Sequence, residues 1–315
     1  MKALVTGGLG FIGSTLCKKL VEEKWDVHIV DDLSTGYKEN LVKGAEWTRW
    51  SLGTHSTEQL FKIIGEVDVI FHLAAVPRVT FSVEHPYESA KANIMGTLAA
   101  LEYSRHSKNK PRVIFSSSSS VYGGSAQLPT PETEPVHPRS PYALEKWQGE
   151  EWCRAYSKLY DLDVVCLRYF NVFGSGSRYG GSYSTVLSAW LYSTLVDTKL
   201  SPYIEGDGFQ TRDFCHCDNV VQANILAAKH KEKFNGDVFN IAQGQTRSLL
   251  DCKIILEDIY GKTFELEQRP TRVGDVRDTW ADISKAQKIL GYNPDTDFKG
   301  QLKKMADWYK EFYKV

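Results

Sequence analysis

The sequence predicts an α/β fold in which a parallel sheet is doubly wound, with helices on both faces. Short apolar runs predict strands at residues 2–5, 26–30, 46–52, 68–73, 113–116 and 164–168. Amphipathic stretches at residues 11–23, 57–64, 86–105 and 141–160 predict helices between most of these strands. Strands that alternate with helices in this way form βαβ units, whose strands run parallel.

The composition is typical of a soluble globular protein and argues against several classes of partner. Of 315 residues, 42% are hydrophobic and 24% are charged, and the net charge is -1. Without a basic excess, we expect no nucleic-acid partner. No apolar run approaches the roughly 20 residues that a membrane span needs, and the opening MKALVTGG is too short for a signal peptide. Six scattered cysteines are typical of the reducing cytoplasm.

One short run, Cys215-His216-Cys217, could suggest a metal site. Cysteine ligand pairs are usually separated by two to four residues, and further ligands are needed nearby. The sequence offers no such cluster, so we predict packing and no metal.

The stretch TGGLGFIG predicts a dinucleotide-binding loop between the first strand and the first helix. Gly7, Gly10 and Gly13 permit a sharp turn, a close approach to a pyrophosphate and tight packing of the helix on the sheet. Asp31 ends the second strand 18 residues after Gly13. A carboxylate there accepts a hydrogen bond from a ribose 2′-hydroxyl and repels a 2′-phosphate, which favours NAD over NADP.

Two tyrosine–lysine pairs have the i, i+4 spacing that places both side chains on one helix face: Tyr87/Lys91 and Tyr142/Lys146. An ammonium beside a phenol favours the phenolate, which can then transfer protons near neutrality. The second pair follows Ser140-Pro141, a helix start, and comes after the strand that ends in FSSSSSVYG. We therefore predict a catalytic role for Tyr142 and Lys146, and a solvated helix face for the first pair.

Taken together, these motifs identify a resemblance to the extended short-chain dehydrogenase/reductase family. TGGLGFIG, VDDLSTG, HLAA, FSSSSSVYG, SPYALEK, RYFNVFG and RDFCHCDNV stand in that family's order and spacing, from residue 1 to about residue 295. Within the family the chain is most similar to the UDP-glucose and UDP-N-acetylglucosamine 4-epimerases. The resemblance implies a Rossmann sheet with a smaller C-terminal substrate-binding region, bound NAD, a UDP-sugar substrate and a homodimer.

The resemblance also implies the catalytic residues Ser118, Tyr142 and Lys146. In related 4,6-dehydratases the segment after the catalytic serine carries acidic residues, because elimination of water needs an acid and a base. Here Ser119 and Ser120 stand at those positions, which disfavours dehydration.

Binding residues follow from the same motifs. For the cofactor, the resemblance implies Gly7, Gly10, Phe11, Ile12, Gly13, Asp31, Ser51, Leu73, Ala74, Ala75, Asn93, Tyr142, Lys146 and Tyr169. For the substrate, it implies Arg78, Ser118, Asn171, Tyr183, Arg212, Arg272 and Thr279, with the two arginines Arg212 and Arg272 gripping the diphosphate.

Three of these positions bear on selectivity. Ser51 replaces the aspartate that usually holds the adenine amino group, so we expect a weaker adenine contact. The VPR run that contains Arg78 resembles the branch acting on N-acetylated UDP-sugars. Thr279 stands where relatives carry either a bulky tyrosine or a small residue beside C2 of the sugar, and threonine leaves room for an N-acetyl group. We expect interconversion of UDP-GlcNAc and UDP-GalNAc, with the plain hexoses as further substrates.

Other functions stay open at this stage. A UDP-glucuronate 4-epimerase, another nucleotide-sugar dehydratase or decarboxylase, and a non-catalytic NAD-binding regulator share the fold. Retention of Ser118, Tyr142 and Lys146 together disfavours the regulator.

We expect residues 1–172, with a return segment at about 213–243, to bind NAD, and residues 173–315 mainly to bind substrate. The dimer is expected to pair helices near residues 86–106 and 141–160.

Overall fold

The structure is a computed structural model that describes residues 1–181, 184–271 and 276–315. Its centre is a seven-stranded, fully parallel sheet in the order β3-β2-β1-β4-β5-β6-β11, which confirms the predicted fold class. These strands are β1 Lys2–Thr6, β2 Asp26–Asp31, β3 Glu46–Arg49, β4 Val69–His72, β5 Arg112–Ser118, β6 Val164–Tyr169 and β11 Asn235–Ile241.

Helices cover both faces of this sheet. In the first half of the chain they are α1 Phe11–Glu22, α2 Thr57–Ile64, α3 Val79–Glu84, α4 Pro86–Ala90, α5 Gly96–His106 and α6 Pro141–Tyr160. A wider helical turn, Lys91–Met95, joins α4 to α5, and single turns lie at Lys38–Asn40 and Ser119–Tyr122.

Strand alternation divides the core into two layers. Ala3 and Val5 of β1 are buried on one face with α1 and the later helix α8 Cys217–Lys229. Leu4, between them, is buried on the opposite face with residues of α2, α5 and α6. Both faces of each central strand are therefore apolar, as is typical of a parallel sheet covered on both sides.

The C-terminal part of the chain forms a smaller layer beside the carboxyl ends of the strands. Its elements are β7 Val172–Phe173, α7 Val186–Leu191 with a wider turn Tyr192–Val196, β8 Tyr203–Glu205, β9 Thr211–Arg212, β10 Cys215–His216, β12 Arg247–Ser248, α9 Leu249–Tyr260, β13 Glu267–Arg269 and α11 Phe298–Tyr313. Buried Trp190, Phe298 and Tyr309 belong to its separate apolar core. Helix α10, Ser284–Leu290, packs instead on the large sheet, where Ala286 and Leu290 belong to the core that α8 shares. Since β11 lies beside β6, the chain returns to the large sheet between these elements.

Several observed elements differ from the predicted ones: β11 was not predicted, β3 ends at Arg49 instead of residue 52, and the helix predicted at 86–105 is divided into α4, a wider turn and α5. Strand β5 continues two residues beyond the predicted end, so Ser116, Ser117 and Ser118 belong to it. These hydroxyl-bearing residues can remain in a buried strand because α6 supplies partners for the serine segment. Helix α3 was not predicted, because VTFSVE is too short to show a helical period.

Helix α6 approaches the sheet closely. Its first turn is capped by the Ser140 hydroxyl, which accepts from the backbone N–H of Ala143 at 3.2 Å, and Pro141 occupies the first helical position. Near its middle, Gly149 packs on the ring of Phe115 so tightly that a β-carbon would overlap that ring. The close approach places the start of α6 beside the end of β5.

Of the helices in the described residues, none is long and apolar enough to cross a membrane.

Candidate active site

A cleft opens at the carboxyl ends of the strands, where the strand order reverses between β1 and β4. Ligands bind at this switch point in open parallel sheets. Many of the predicted residues line the cleft: Gly7, Gly10, Phe11, Ile12, Gly13, Asp31, Ser51, Leu73, Ala74, Ala75, Ser118, Tyr142, Lys146 and Tyr169. The structure therefore brings the predicted cofactor residues and the predicted catalytic residues into one site.

The glycine loop has the geometry of a phosphate cradle. Gly7 has a positive φ of 70°, and a β-carbon there would lie 2.7 Å from the backbone nitrogen of Ala74. Gly10 stands at the N-cap of α1 and has no side chain to occupy the first-turn N–H groups. A helix N-terminus open in this way attracts an anion. The loop therefore fits the pyrophosphate of a dinucleotide.

Asp31, at the end of β2, is buried and held in place by backbone groups. Its Oδ2 accepts from the N–H of Leu9 at 3.0 Å, and its Oδ1 accepts from the N–H of Leu33 at 2.8 Å. Burial raises the pKa of Asp31, and these two hydrogen bonds partly offset that rise. The carboxylate has a fixed orientation and remaining lone pairs, as a ribose acceptor requires.

The predicted catalytic residues come from β5 and α6. Ser118 is the last residue of β5, and its Oγ accepts from the N–H of Ser120 at 3.2 Å. Tyr142 is in the first turn of α6, and its N–H donates to the hydroxyl of Ser82 at 3.1 Å. The ammonium nitrogen of Lys146 is 5.9 Å from the centre of the Tyr142 ring. The helix thus presents a phenol and an amine to the cleft together.

Lys146 is buried beneath the cleft. Its Nζ donates to the carbonyl of Ser116 at 2.8 Å and lies 5.1 Å from the Phe115 ring centre. Burial lowers the pKa of Lys146 to about 8, while the nearby acidic side chains of Glu145 and Cys153 oppose that shift. The ammonium form therefore predominates at neutral pH, yet it can lose its proton in mild alkali.

A buried ion pair fixes α6 against the strands that carry the serines. The Ser117 hydroxyl donates to Oε1 of Glu150 at 2.5 Å, and Arg168 of β6 donates to both Glu150 oxygens at 2.8 and 2.7 Å. Sequence patterns did not reveal this role, because an isolated Glu on a helix usually lies in solvent.

Asn93 does not line the cleft, although it was predicted to contact the cofactor. Its Oδ1 accepts from the N–H of Val76 at 2.7 Å, and its Nδ2 donates to Oε2 of Glu145 at 2.6 Å. Val76 does line the cleft. In the structure Asn93 therefore links cleft-lining Val76 to Glu145 of α6 through hydrogen bonds.

His72, at the end of β4 and directly before cleft-lining Leu73, is buried. The sequence motifs did not predict a role for it. Its ring nitrogens bond the hydroxyls of Thr6 at 2.8 Å and Thr97 at 3.1 Å. Burial, assisted by the charge of Lys146, lowers the pKa of His72 to about 3. The imidazole is therefore neutral in the working pH range and adds no second positive charge near Lys146.

Three predicted substrate residues lie together beside the cleft. Nδ2 of Asn171 donates to Oγ1 of Thr279 at 2.9 Å, and the N–H of Asp213 donates to the same oxygen at 3.2 Å. Arg212 precedes Asp213, and its Nη1 donates to the carbonyls of Thr211 and Arg277 at 2.9 and 2.7 Å. We call residues 171, 211–213 and 279–281 the substrate shelf.

Asp213, which the motif reading did not single out, holds the shelf together. Its carboxylate is fully buried and accepts from the backbone N–H groups of Gln243 at 3.0 Å, Gly244 at 3.2 Å and Ala281 at 3.2 Å. One carboxylate thus joins three segments that are distant in sequence.

The remaining predicted positions lie elsewhere. Arg78 is exposed at the N-terminus of α3, directly after cleft-lining Pro77. Tyr183 and Arg272 lie outside the described residues.

Two other sequence features lie away from the cleft. In the Tyr87/Lys91 pair, Tyr87 is 76% exposed, in keeping with a solvated face. Within the described ranges no cluster of three His, Cys, Asp or Glu side chains could hold a metal, and Cys215 instead contacts the Tyr292 hydroxyl.

Three solved structures resemble this chain over nearly its whole length. A UDP-glucose 4-epimerase of Thermotoga maritima with UDP-glucose is 35% identical, with a TM-score of 0.92 and 99% of both chains covered. A UDP-N-acetylglucosamine 4-epimerase of Methanobrevibacter ruminantium with UDP-N-acetylmuramic acid is 33% identical, with a TM-score of 0.91 and coverage of 99% of this chain and 98% of that one. A UDP-glucuronic acid 4-epimerase of Bacillus cereus with UDP-glucuronic acid and NAD is 32% identical, with a TM-score of 0.90 and coverage of 99% of this chain and 100% of that one.

Residues 3–242 match the NAD dependent epimerase/dehydratase family. This match covers most of the chain and includes the glycine loop, the serine strand and the Tyr142/Lys146 helix. The chain therefore belongs to the NAD dependent epimerase/dehydratase family.

Proposed function

We propose that this protein is a UDP-sugar 4-epimerase that inverts C4 through a transient 4-keto sugar. The observation that carries the proposal is the convergence of Ser118, Tyr142 and Lys146 on the cleft that begins at the dinucleotide loop. Similarity to three 4-epimerases of UDP-sugars supports the same reaction.

In this mechanism NAD, when bound, supplies the oxidant that takes a hydride from C4 and returns it to the opposite face. Tyr142, as a phenolate, removes the proton of the 4-hydroxyl and gives it back at the end. The ammonium of Lys146 stabilises the phenolate because the two groups share one helix face. Ser118 donates to the sugar oxygen on which negative charge grows. No net redox change results, so NAD needs no external reductant.

The serine segment supports epimerisation over dehydration. Elimination of water from C5 and C6 needs an acid and a base near those atoms. Ser119 and Ser120 follow Ser118 in the turn that leaves β5, and neither can act as an acid near neutrality. A UDP-glucuronate 4-epimerase is the second candidate, and similarity to the Bacillus cereus enzyme favours it.

For the natural sugar, we propose UDP-GlcNAc and UDP-GalNAc, with UDP-glucose and UDP-galactose as further substrates. Thr279 supports this choice, because it lies on the shelf beside Asn171 and is much smaller than the tyrosine that some relatives carry at this position. Arg78 and Arg212 belong to the proposed substrate side, as do Tyr183 and Arg272.

We also propose that residues 1–172 with 213–243 form the NAD-binding region and residues 173–315 mainly the substrate-binding region.

We propose a cytoplasmic location. It is supported by six free thiols, all buried. Cell fractionation tests the location; recovery with the envelope would contradict it.

The first test uses purified protein without added NAD, incubated separately with UDP-GlcNAc, UDP-glucose and UDP-glucuronate and followed by NMR. We expect a new C4 epimer with wild-type protein. Tyr142→Phe should lower the rate at least 10²-fold, because the general base is lost. Protein-bound NAD, measured after acid release, should stay at the wild-type level.

Two results would contradict this assignment. Wild-type turnover by Tyr142→Phe would remove the tyrosine from the mechanism, and a 4-keto-6-deoxy product would identify a dehydratase. Bound NAD without any reaction would favour the regulator. Tyr87→Phe is the matched control and should leave the rate unchanged, since that phenol is exposed on another helix.

A pH profile tests the role of Lys146. Its pKa is lowered to about 8, so the ammonium is present below that pH and is lost as the pH rises through it. We expect kcat to fall above about pH 8 because the phenolate loses its cationic neighbour. Lys146→Met should be roughly 10²-fold slower and should lack this alkaline limb. A wild-type kcat that is unchanged to pH 9.5 at saturating substrate would argue against the role.

Thr279→Tyr tests the sugar choice. A bulky ring beside C2 should lower kcat/KM for UDP-GlcNAc about tenfold more than for UDP-glucose, the scale of a steric clash in a binding pocket. Thr279→Val separates the lost hydroxyl from the added bulk, because it removes the bonds from Asn171 and Asp213 while keeping the size. Valine should affect both sugars equally. If Thr279→Tyr lowered kcat/KM equally for both sugars, the proposed selection by residue 279 would be contradicted.

We further propose a homodimer that pairs the α4–α5 helix with α6. Exposed apolar side chains on these helices support it: Met95 is 50%, Trp152 41% and Leu159 70% exposed. We expect light scattering of the wild-type protein to give the mass of two 35.6-kDa chains. The variant Trp152→Glu should give the mass of one chain. Ile254→Glu, on α9, is the control and should leave the mass unchanged. A monomeric wild-type protein would contradict the proposal.

A further inference from the structure

A segment from the substrate side of the chain packs on the outside of the glycine loop. Residues 174–181, which we call the strap, follow β7 and lead toward α7. A β-carbon at Gly176 would lie 3.4 Å from the ring of Phe11, a residue that lines the cleft. The strap therefore lies against Phe11, a residue of the cleft wall.

The partner of the strap is the segment after β2, residues 32–40, which we call the cofactor loop. Asp32, Ser34 and Thr35 of this loop line the cleft. Its tip is joined to the glycine loop by one carbonyl, that of Leu9, which accepts from the N–H of Tyr37 at 3.0 Å and from Nδ2 of Asn40 at 2.8 Å. Movement of the tip would therefore open one wall of the cleft.

Arg178 of the strap clamps that tip. Its guanidinium lies between two aromatic rings, 3.8 Å from the centre of Tyr37 and 4.5 Å from that of Phe312. Nη1 donates to Glu39 at 2.9 Å and Nη2 to Asn40 at 3.3 Å. Only 12% of the arginine side chain is exposed. Planar stacking combined with directed hydrogen bonds is specific to arginine and is not reproduced by lysine.

The strap is itself anchored to the C-terminal helix. The hydroxyl of Tyr309 donates to the carbonyl of Ser177 at 2.8 Å, and Ser175 donates to the carbonyl of Lys304 at 3.4 Å. Tyr309 is fully buried in α11. Arg178 therefore connects the cofactor loop to a rigid element of the substrate region.

We propose that Arg178 is a positioning residue for NAD: it fastens the cofactor loop and slows NAD dissociation. An enzyme that regenerates NAD in each cycle benefits when the cofactor stays bound between cycles. The chain meets this need with a clamp contributed by the region that follows the sheet. The inference depends on NAD binding and not on which sugar reacts.

The test is a chase experiment on holoenzyme. Protein loaded with radiolabelled NAD is diluted into excess unlabelled NAD, and the retained label is followed by filter binding. We expect Arg178→Gln to release label about tenfold faster than wild type. Arg178→Lys should be intermediate, because it keeps the charge but not the stacked plane. With unlabelled NAD at saturation, kcat should be unchanged, since Arg178 does not line the cleft.

Two further variants separate retention from general stability. Glu39→Gln removes the carboxylate partner and should also speed release, and its effect should not add to that of Arg178→Gln. Lys233→Gln removes an exposed ion pair with Asp161 remote from the cleft and should not change release. Wild-type release by Arg178→Gln would overturn the proposal, as would faster release seen only at temperatures where the variant unfolds. Should Arg178→Gln fail to fold, wild-type release by Glu39→Gln would overturn it.

Discussion

The packing of α6 against the end of β5 is the contact on which the site depends. Gly149 allows the helix to lie on the Phe115 ring, and the Ser117–Glu150 hydrogen bond fixes its position along the strand. Ser118 lies on the strand and Tyr142 on the helix. Their separation is therefore set by the contacts of Phe115 and Ser117 with Gly149 and Glu150, which neighbour the predicted catalytic residues along the strand and the helix.

This packing also explains how a charged amine can stay buried. Lys146 has one carbonyl partner, at Ser116, and the rings of Phe115 and Tyr142 lie nearby. Such a setting disfavours the ammonium, and a second cation would disfavour it further. His72 remains neutral because burial and the charge of Lys146 lower the pKa of its imidazole. The ammonium of Lys146 thus lies near the Tyr142 ring, with a neutral imidazole at His72.

Local patterns in the sequence were sufficient for six of the seven strands of the sheet and for the central residues of the cleft, while the edge strand β11 was not predicted. The glycine loop, Asp31 and the Tyr142/Lys146 pair each depend on neighbours a few residues away, so spacing reveals them. Glu150 and Asp213 were missed as contact-forming residues because their partners are remote: Ser117 lies 33 positions from Glu150, and Ala281 lies 68 from Asp213. A buried carboxylate also looks like a surface residue in sequence, since its burial depends on donors supplied by the fold.

A short segment after β6 joins the cleft to the shelf. Tyr169 ends β6 and lines the cleft, and Asn171, two residues later, bonds Thr279 of the shelf. The distance from the sheet to the shelf is thus set by a short stretch of chain rather than by a flexible linker. Asp213 then holds the far parts of the shelf to this point through backbone N–H groups. Because those donors belong to the main chain, the side chains of the shelf can change while its backbone keeps its position relative to the cleft.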